Sequence, residues 1–248
     1  MPAHVSRRGR VAIVRLDDPA RRNALGDEMV SSIISAFDDL DADDNVGAVV
    51  VTGAPPAFCS GAVRANLDRL SSDEAADERS SIRDVYEGFL RIHRSALPTI
   101  AAVNGAAVGA GMNVALACDV RLVGESARFD AKFAQIGLHP GGGHVWLLER
   151  LVGPQTAAAM TLFGERLDAG DAVARGLAWS EHSDDELIDA AVTLGEGAAR
   201  VPRELAARIK ATLRQAPWQA DFAAAVDWEV EHQTWSFAQG WFKEMGKP

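Results

Sequence analysis

The stretch that most constrains the fold is residues 97–119, LPTIAAVNGAAVGAGMNVALACD. Its first part, TIAAV, reads as a buried strand. The chain then turns at Asn104-Gly105, and a run of small residues leads into a helix over about 109–118. A strand that passes through glycines into a helix start leaves backbone N–H groups without intrahelical partners. Those donors sit at the positive end of the helix dipole and suit an anion or a developing oxyanion. Small side chains also let a ligand approach the backbone closely. The same glycines serve equally well in a tight helix–sheet contact. Two readings of Gly109-Ala110-Gly111 therefore stand side by side, a binding site and a packing device. The apolar stretch could reach across a bilayer, but Asn104, Asn113, Asp119 and Arg121 interrupt it, so no membrane helix is expected.

With 248 residues, 48% of them hydrophobic, the chain has ample material for one large domain, alone or with a small appendage. Its net charge of −10 argues against a nucleic-acid binder and against a basic membrane-surface protein. An anionic ligand must then be met by local cations, for which Arg21, Arg22, Arg64, Arg203, Arg208, Lys210 and Arg214 are the candidates. The two cysteines, Cys59 and Cys118, lie in apolar surroundings far apart in sequence. They are expected to be buried free thiols of a protein in a reducing, cytoplasmic compartment. The first residues lack the long apolar core and cleavage site of a signal peptide.

Strands are expected at 10–16, 48–52 and 120–123, the second as a continuous apolar run covered on both faces. Met29, Val30, Ile33, Ile34, Phe37 and Leu40 recur at helical spacing. Residues 57–62 read as a small-residue loop, 70–84 as a mobile polar surface segment and 85–94 as a helix. Residues 127–140 read as irregular, and Gly141-Gly142-Gly143 as a flexible turn. Helices follow at 144–151, 153–163, 167–175, 184–199, 203–214 and 221–237, the fourth opened by the capping-box pattern Ser183 to Glu186. Strands and helices alternate in the first half and helices dominate the rest, so the class is α/β. Trp228, Trp235, Phe237, Trp241 and Phe242 mark the tail as an interface or a lid.

The order of these pieces resembles the enoyl-CoA hydratase/isomerase (crotonase) family. The matching motifs are RNAL at 22–25, VVVTG at 49–53 followed by AFCSGA at 57–62, PTIAAVNG at 98–105, GAG at 109–111, ACD at 117–119, ARF at 127–129, GLHPG at 137–141 and LVG at 151–153. Each alone is weak; their number, order and spacing carry the resemblance. It implies a crotonase-like spiral of ββα units with a helical C-terminal region, divided at 1–195 and 196–248. It implies a homo-oligomer, a trimer or a dimer of trimers. The ligand would be an acyl-CoA thioester, with coenzyme A present as part of the substrate and no further cofactor or metal. The family's oxyanion hole, two backbone N–H groups that polarise the thioester carbonyl, falls on Ala62 and Ala110. Each such donor is typically worth ~2.7–4 kcal/mol in the transition state. By the same resemblance Arg22, Ala24, Ser60, Arg64 and Gly109 line the substrate, and Lys210 meets the coenzyme A phosphates.

The chain departs from the family where the acid–base chemistry sits. The two glutamates that add water across the double bond fall on Asn113 and Phe133, and Val63 replaces the acid of the Gly-Ala-Asp motif. Asn113 hydrogen-bonds but does not shuttle protons near neutral pH, and Phe133 only packs. Each lost acid or base typically removes ~10²–10⁴ in rate. His139 and His144 are the candidate replacement proton carriers, since histidine titrates most readily near neutrality. Asp130 and Lys132 flank the second lost glutamate. The chain is thus expected to be either a thioester-processing enzyme without the glutamate pair, or a non-catalytic acyl-CoA carrier or sensor on the same scaffold.

Overall fold

A computed structural model describes residues 2–63 and 78–245, and the side chains of all of these except 78–82 and 243–245. Arg64 and the first part of the 70–84 segment lie outside the described residues. The strands are β1 (Ala3–Arg8), β2 (Val11–Leu16), β3 (Ala48–Gly53), β4 (Ala57–Cys59), β5 (Thr99–Val103), β6 (Ala106–Val108), β7 (Val120–Gly124), β8 (Arg128–Asp130), β9 (Arg166–Asp168) and β10 (Ser180–His182). The described helices are α1 (Asp27–Ala42), α2 (Glu78–Arg94), α3 (Ala110–Ala117), α4 (His144–Thr161), α5 (Ala169–Ala174), α6 (Leu187–Ala199), α7 (Arg203–Gln215), α8 (Phe222–Phe237) and α9 (Gly240–Met245).

Two sheets share the strands. The larger has the order β1-β2-β3-β5-β7-β10 and the smaller β4-β6-β8-β9. Three times in succession a strand of the large sheet is followed by a strand of the small one: β3 then β4, β5 then β6, β7 then β8. The two sheets therefore climb together as a spiral of ββα units. The central pairings are parallel, with Val11 opposite Ala48, Val49 opposite Thr99 and Ile100 opposite Val120. Alternate residues of each strand serve opposite faces. Val11, Ile13, Ala48, Val50, Ile100, Ala102 and Leu122 pack under Leu187, Ala191, Val192 and Ala199 of α6. The intervening residues, among them Val14, Val49, Val51, Ala101 and Val103, face Met29, Ile33 and Phe37 of α1 and Phe89 and Ile92 of α2. Burial on both faces explains why these strands read as unbroken apolar runs.

The structure revises several expected boundaries. The helix expected at 167–175 begins as β9; Asp168 ends that strand and caps α5, its carboxylate accepting from the Asp171 N–H at 2.9 Å. The Ser183 hydroxyl donates to Glu186 at 2.8 Å, yet α6 starts only at Leu187. By contrast, the two helices expected at 144–151 and 153–163 are both present as the halves of α4, which breaks where Gly153 takes the non-helical φ 73° and ψ 169°. A division at 195 would cut α6, which packs on the sheet through Ala199, so the helical tail begins with α7. In that tail Trp235 meets Trp241 at 5.7 Å, Phe237 meets Phe242 at 5.1 Å, and the Arg208 guanidinium lies 3.8 Å over Trp235. Residues 97–119 form strand, turn, strand and short helix. No described helix is long and apolar enough to cross a membrane.

Candidate functional site

The site begins where β4 leaves the small sheet. Asn23, fully buried with φ 57°, donates from its side-chain amide to the carbonyls of Ala54 and Ala57, both at 2.8 Å. That clamp sets the 21–25 loop against the 60–63 loop. Ser60 N–H donates to Arg22 O at 3.0 Å, Leu25 N–H to Gly61 O at 2.7 Å, and Val63 N–H to Leu25 O at 3.3 Å. Arg22, Ala24 and Ser60 are thereby brought together, with the Arg22 side chain exposed.

Glycines from other elements crowd the same strand. A Cβ on Gly53 would sit 2.3 Å from Phe58 O, one on Gly105 2.7 Å from Pro56 O, and one on Gly111 2.0 Å from Cys59 O. These separations are below any real carbon–oxygen contact, so only glycine allows the approach. The β4 exit and the start of α3 are consequently neighbours, and a Cβ on Gly61 would lie 3.6 Å from the Ala110 nitrogen. Gly109 takes φ 53°, ties its N–H to Asp130 O at 2.9 Å, and accepts from Asn113 N–H at 3.2 Å. Among the described residues no acceptor is bonded to the N–H of Ala62 or Ala110. Both packing and open backbone donors are thus present at Gly109-Ala110-Gly111; the two readings of that motif do not exclude each other.

Asn113, on the first turn of α3, donates from Nδ2 to Gly141 O at 3.0 Å, which turns its Oδ1 toward His144 Nδ1 at 2.7 Å. An amide oxygen only accepts, so Nδ1 carries the hydrogen and Nε2 is left as a bare acceptor. His144 is 1% exposed, and its Nε2 is buried with no hydrogen-bond partner. Burial pushes the imidazole down to about 4, so the ring is neutral at pH 7. Phe133 meets it edge to face, with ring centroids 5.0 Å apart, and Phe133 in turn lies 3.8 Å from where a Gly109 Cβ would be. The Gly141-Gly142-Gly143 turn is pressed against Tyr86 and Phe89 of α2. Asn113, Phe133, His144 and the Gly109 turn therefore form one contiguous group. Nothing in the sequence announced the Asn113–His144 bond, which joins residues on two helices.

The other candidates are placed differently. His139 is exposed, and its Nδ1 is 2.7 Å from Pro140 O. Asp130, whose carbonyl holds the Gly109 N–H, pairs through Oδ2 with Arg166 at 2.9 Å, while its Oδ1 is buried without a hydrogen-bond partner. Lys210 is not the free cation that the resemblance implies. It is 6% exposed, its ammonium sits 2.7 Å from Asp119, and it donates to Leu97 O. Burial pulls the lysine below its ordinary value and Asp119 opposes that shift. Cys59 and Cys118 are buried free thiols, each pushed up to about 12 by burial. No group of three or more described His, Cys, Asp or Glu side chains could hold a metal.

The enoyl-CoA hydratase/isomerase family model matches residues 6–246. A probable enoyl-CoA hydratase, EchA14 of Mycobacterium tuberculosis, is 48% identical over 204 residues, covering 82% of this chain and 78% of that protein. The fold is similar to a putative enoyl-CoA hydratase from Thermobifida fusca solved with CoA (TM-score 0.83, 31% identity, 96% of this chain and 93% of that one). It is also similar to one from the same organism solved with acetoacetyl-CoA (TM-score 0.85, 30% identity, 96% and 95%). With its spiral of paired sheets and this breadth of match, the chain belongs to the enoyl-CoA hydratase/isomerase family.

Proposed function

We propose that the chain is an acyl-CoA thioester-processing enzyme of the hydratase/isomerase type. In this reading the N–H groups of Ala62 and Ala110 receive the thioester carbonyl oxygen. The supporting observation is the approach of the β4 exit to the start of α3, with an unbonded backbone N–H on each side. Both donors stabilise the oxyanion that forms when the carbonyl becomes an enolate. Being main-chain groups, they do not depend on the alanine side chains. Arg22, Ala24 and Ser60 form the wall against which the pantetheine and nucleotide would lie, with Arg22 as the cation for phosphate in place of Lys210. The relatives solved with CoA and acetoacetyl-CoA make a CoA thioester the natural ligand. No cofactor beyond the coenzyme A of the substrate is required.

With Asn113 and Phe133 at the positions the resemblance gives to the two glutamates, no carboxylate stands there, so ordinary hydration is handicapped: two groups acting as base and acid on one water are missing at those positions. The exposed apolar side chains of the tail, Leu213, Phe222 and Phe237 among them, fit burial against other copies of the chain, as a trimer or a dimer of trimers. The two buried thiols fit a reducing cytoplasm.

The test is an infrared difference spectrum of crotonyl-CoA labelled at its carbonyl, with binding followed by calorimetry. The carbonyl stretch should fall in frequency on binding. A bound thioester with an unshifted carbonyl removes the oxyanion hole. Acyl-CoAs that bind with a shifted carbonyl, yet are recovered unchanged, leave a carrier instead of an enzyme.

A further inference from the structure

We infer that His144 Nε2 is the proton carrier of this site, that Asn113 is its positioning residue, and that the pair serves single-base relocation of a proton along the acyl chain of a CoA thioester. The inference rests on the thioester site proposed above and names its chemistry.

Three observations carry it. The first is the hydrogen-bond polarity. Gly141 O fixes the Asn113 amide, the amide oxygen holds Nδ1–H, and the lone pair is forced onto Nε2. The second is that this lone pair is buried and unanswered within the chain. Native proteins keep few such groups, because a desolvated acceptor without a donor is unfavourable; a ligand that brings a proton resolves it. The third is position. Asn113 is three residues, one helical turn, beyond Ala110, and Phe133 bridges the Gly109 turn to the imidazole. The imidazole is thus linked through Asn113 and Phe133 to the Gly109 turn, whose next N–H, that of Ala110, is the one assigned to the carbonyl oxygen.

A single base suits one reaction class. Nε2 takes a proton from the carbon next to the thioester carbonyl, forming N–H as C–H breaks. That electron pair makes the enolate, whose oxygen lies on the Ala62 and Ala110 N–H groups. With a β,γ-unsaturated acyl chain the charge extends to the γ carbon, which takes the proton back from Nε2. The double bond has then moved into conjugation, and no water, oxidant or second acid is consumed. Adding water would need a second polar group across from the first, where Phe133 stands.

Vinylacetyl-CoA in D₂O is the probe. Conversion reads as a rise in conjugated-thioester absorbance and exchange as added mass, while calorimetry reports binding. The wild type should convert or exchange it. His144→Gln should lose about 10²-fold or more in kcat with binding intact. Asn113→Leu should lose about 10-fold or more in kcat with KM unchanged, and Asn113→Asp, which keeps an acceptor for Nδ1–H, should recover much of that rate. Should either helix tolerate its substitution poorly, circular dichroism identifies that variant and the other decides. A folded His144→Gln protein that turns over at the wild-type rate overturns the inference. So does a wild type that binds the thioester but neither converts nor exchanges it, and in that case the thioester site survives. Absence of any acyl-CoA binding removes both.

Discussion

Helix α3 has a polar cluster at each end, and the two are built differently. Beyond its C-terminus the Asp119 carboxylate accepts from Thr99 N–H and Thr99 Oγ1, both at 2.9 Å, from Lys210 at 2.7 Å and from Arg214 at 3.2 Å. Every group there has an answer, and the cluster ties α7 to the sheet. At the N-terminal end Asn113 and His144 answer each other but leave Nε2 with nothing. A completed buried network fixes structure; an incomplete one leaves a polar atom open to a further partner. Burial alone does not distinguish them, because Lys210 and His144 are both nearly inaccessible. The count of partners does.

Four measurements would break or sharpen that contrast. The largest effect belongs to His144→Gln, expected to cost about 10²–10⁴-fold in turnover while Lys210→Met leaves kcat of the folded protein near wild type. If the two variants lose kcat equally, the contrast fails. Next is acid. Burial holds the folded His144 near 4 against an ordinary 6.5, so below pH 6.5 the unfolded chain binds a proton that the folded chain refuses. Stability should therefore decline as pH falls from 6.5 to 4, by about 3 kcal/mol from this group. Urea titrations of His144→Gln should show a shallower decline. Part of the slope persists, because burial and then the nearby Arg214 and Lys210 also lower His93. Third, Lys210→Met should reduce stability by about 2–3 kcal/mol, less than the ~3–5 kcal/mol of a fully enclosed pair. The reason is that Asp119 keeps some contact with water and retains Arg214. Smallest is Thr99→Val, which removes one hydroxyl donor to Asp119 and should cost about 1 kcal/mol in the urea midpoint analysis.

What could be read from the residues follows the same division. Strands β2, β3, β5 and β7 were legible because burial on both faces imposes long apolar runs. The three-residue strands β4, β6, β8, β9 and β10 are shorter than any period, and the exposed β1 lacks an apolar face, so all six escaped notice. The turn at 109–111 was visible because strand, glycine and helix are contiguous in the chain. The Asn113–His144 bond was not, since it spans 31 residues and depends on how α3 and α4 pack. Lys210 was misread for a related reason. A charge announces its sign in the sequence but not its partner, and Asp119 lies 91 positions away by residue number.

One consequence lies in the slot around β4. Gly53, Gly105 and Gly111 come from three separate segments, and each presses its bare α-carbon on the same few carbonyls. A methyl group at any one of them would shove that strand sideways and carry the Ala62 amide with it. Under the role proposed for that amide, an inert hydrocarbon that alters no charge and removes no donor would then abolish activity. The backbone course here depends on three missing side chains, and under the role proposed for the Ala62 amide, adding one would disarm the protein while leaving every chemical group intact.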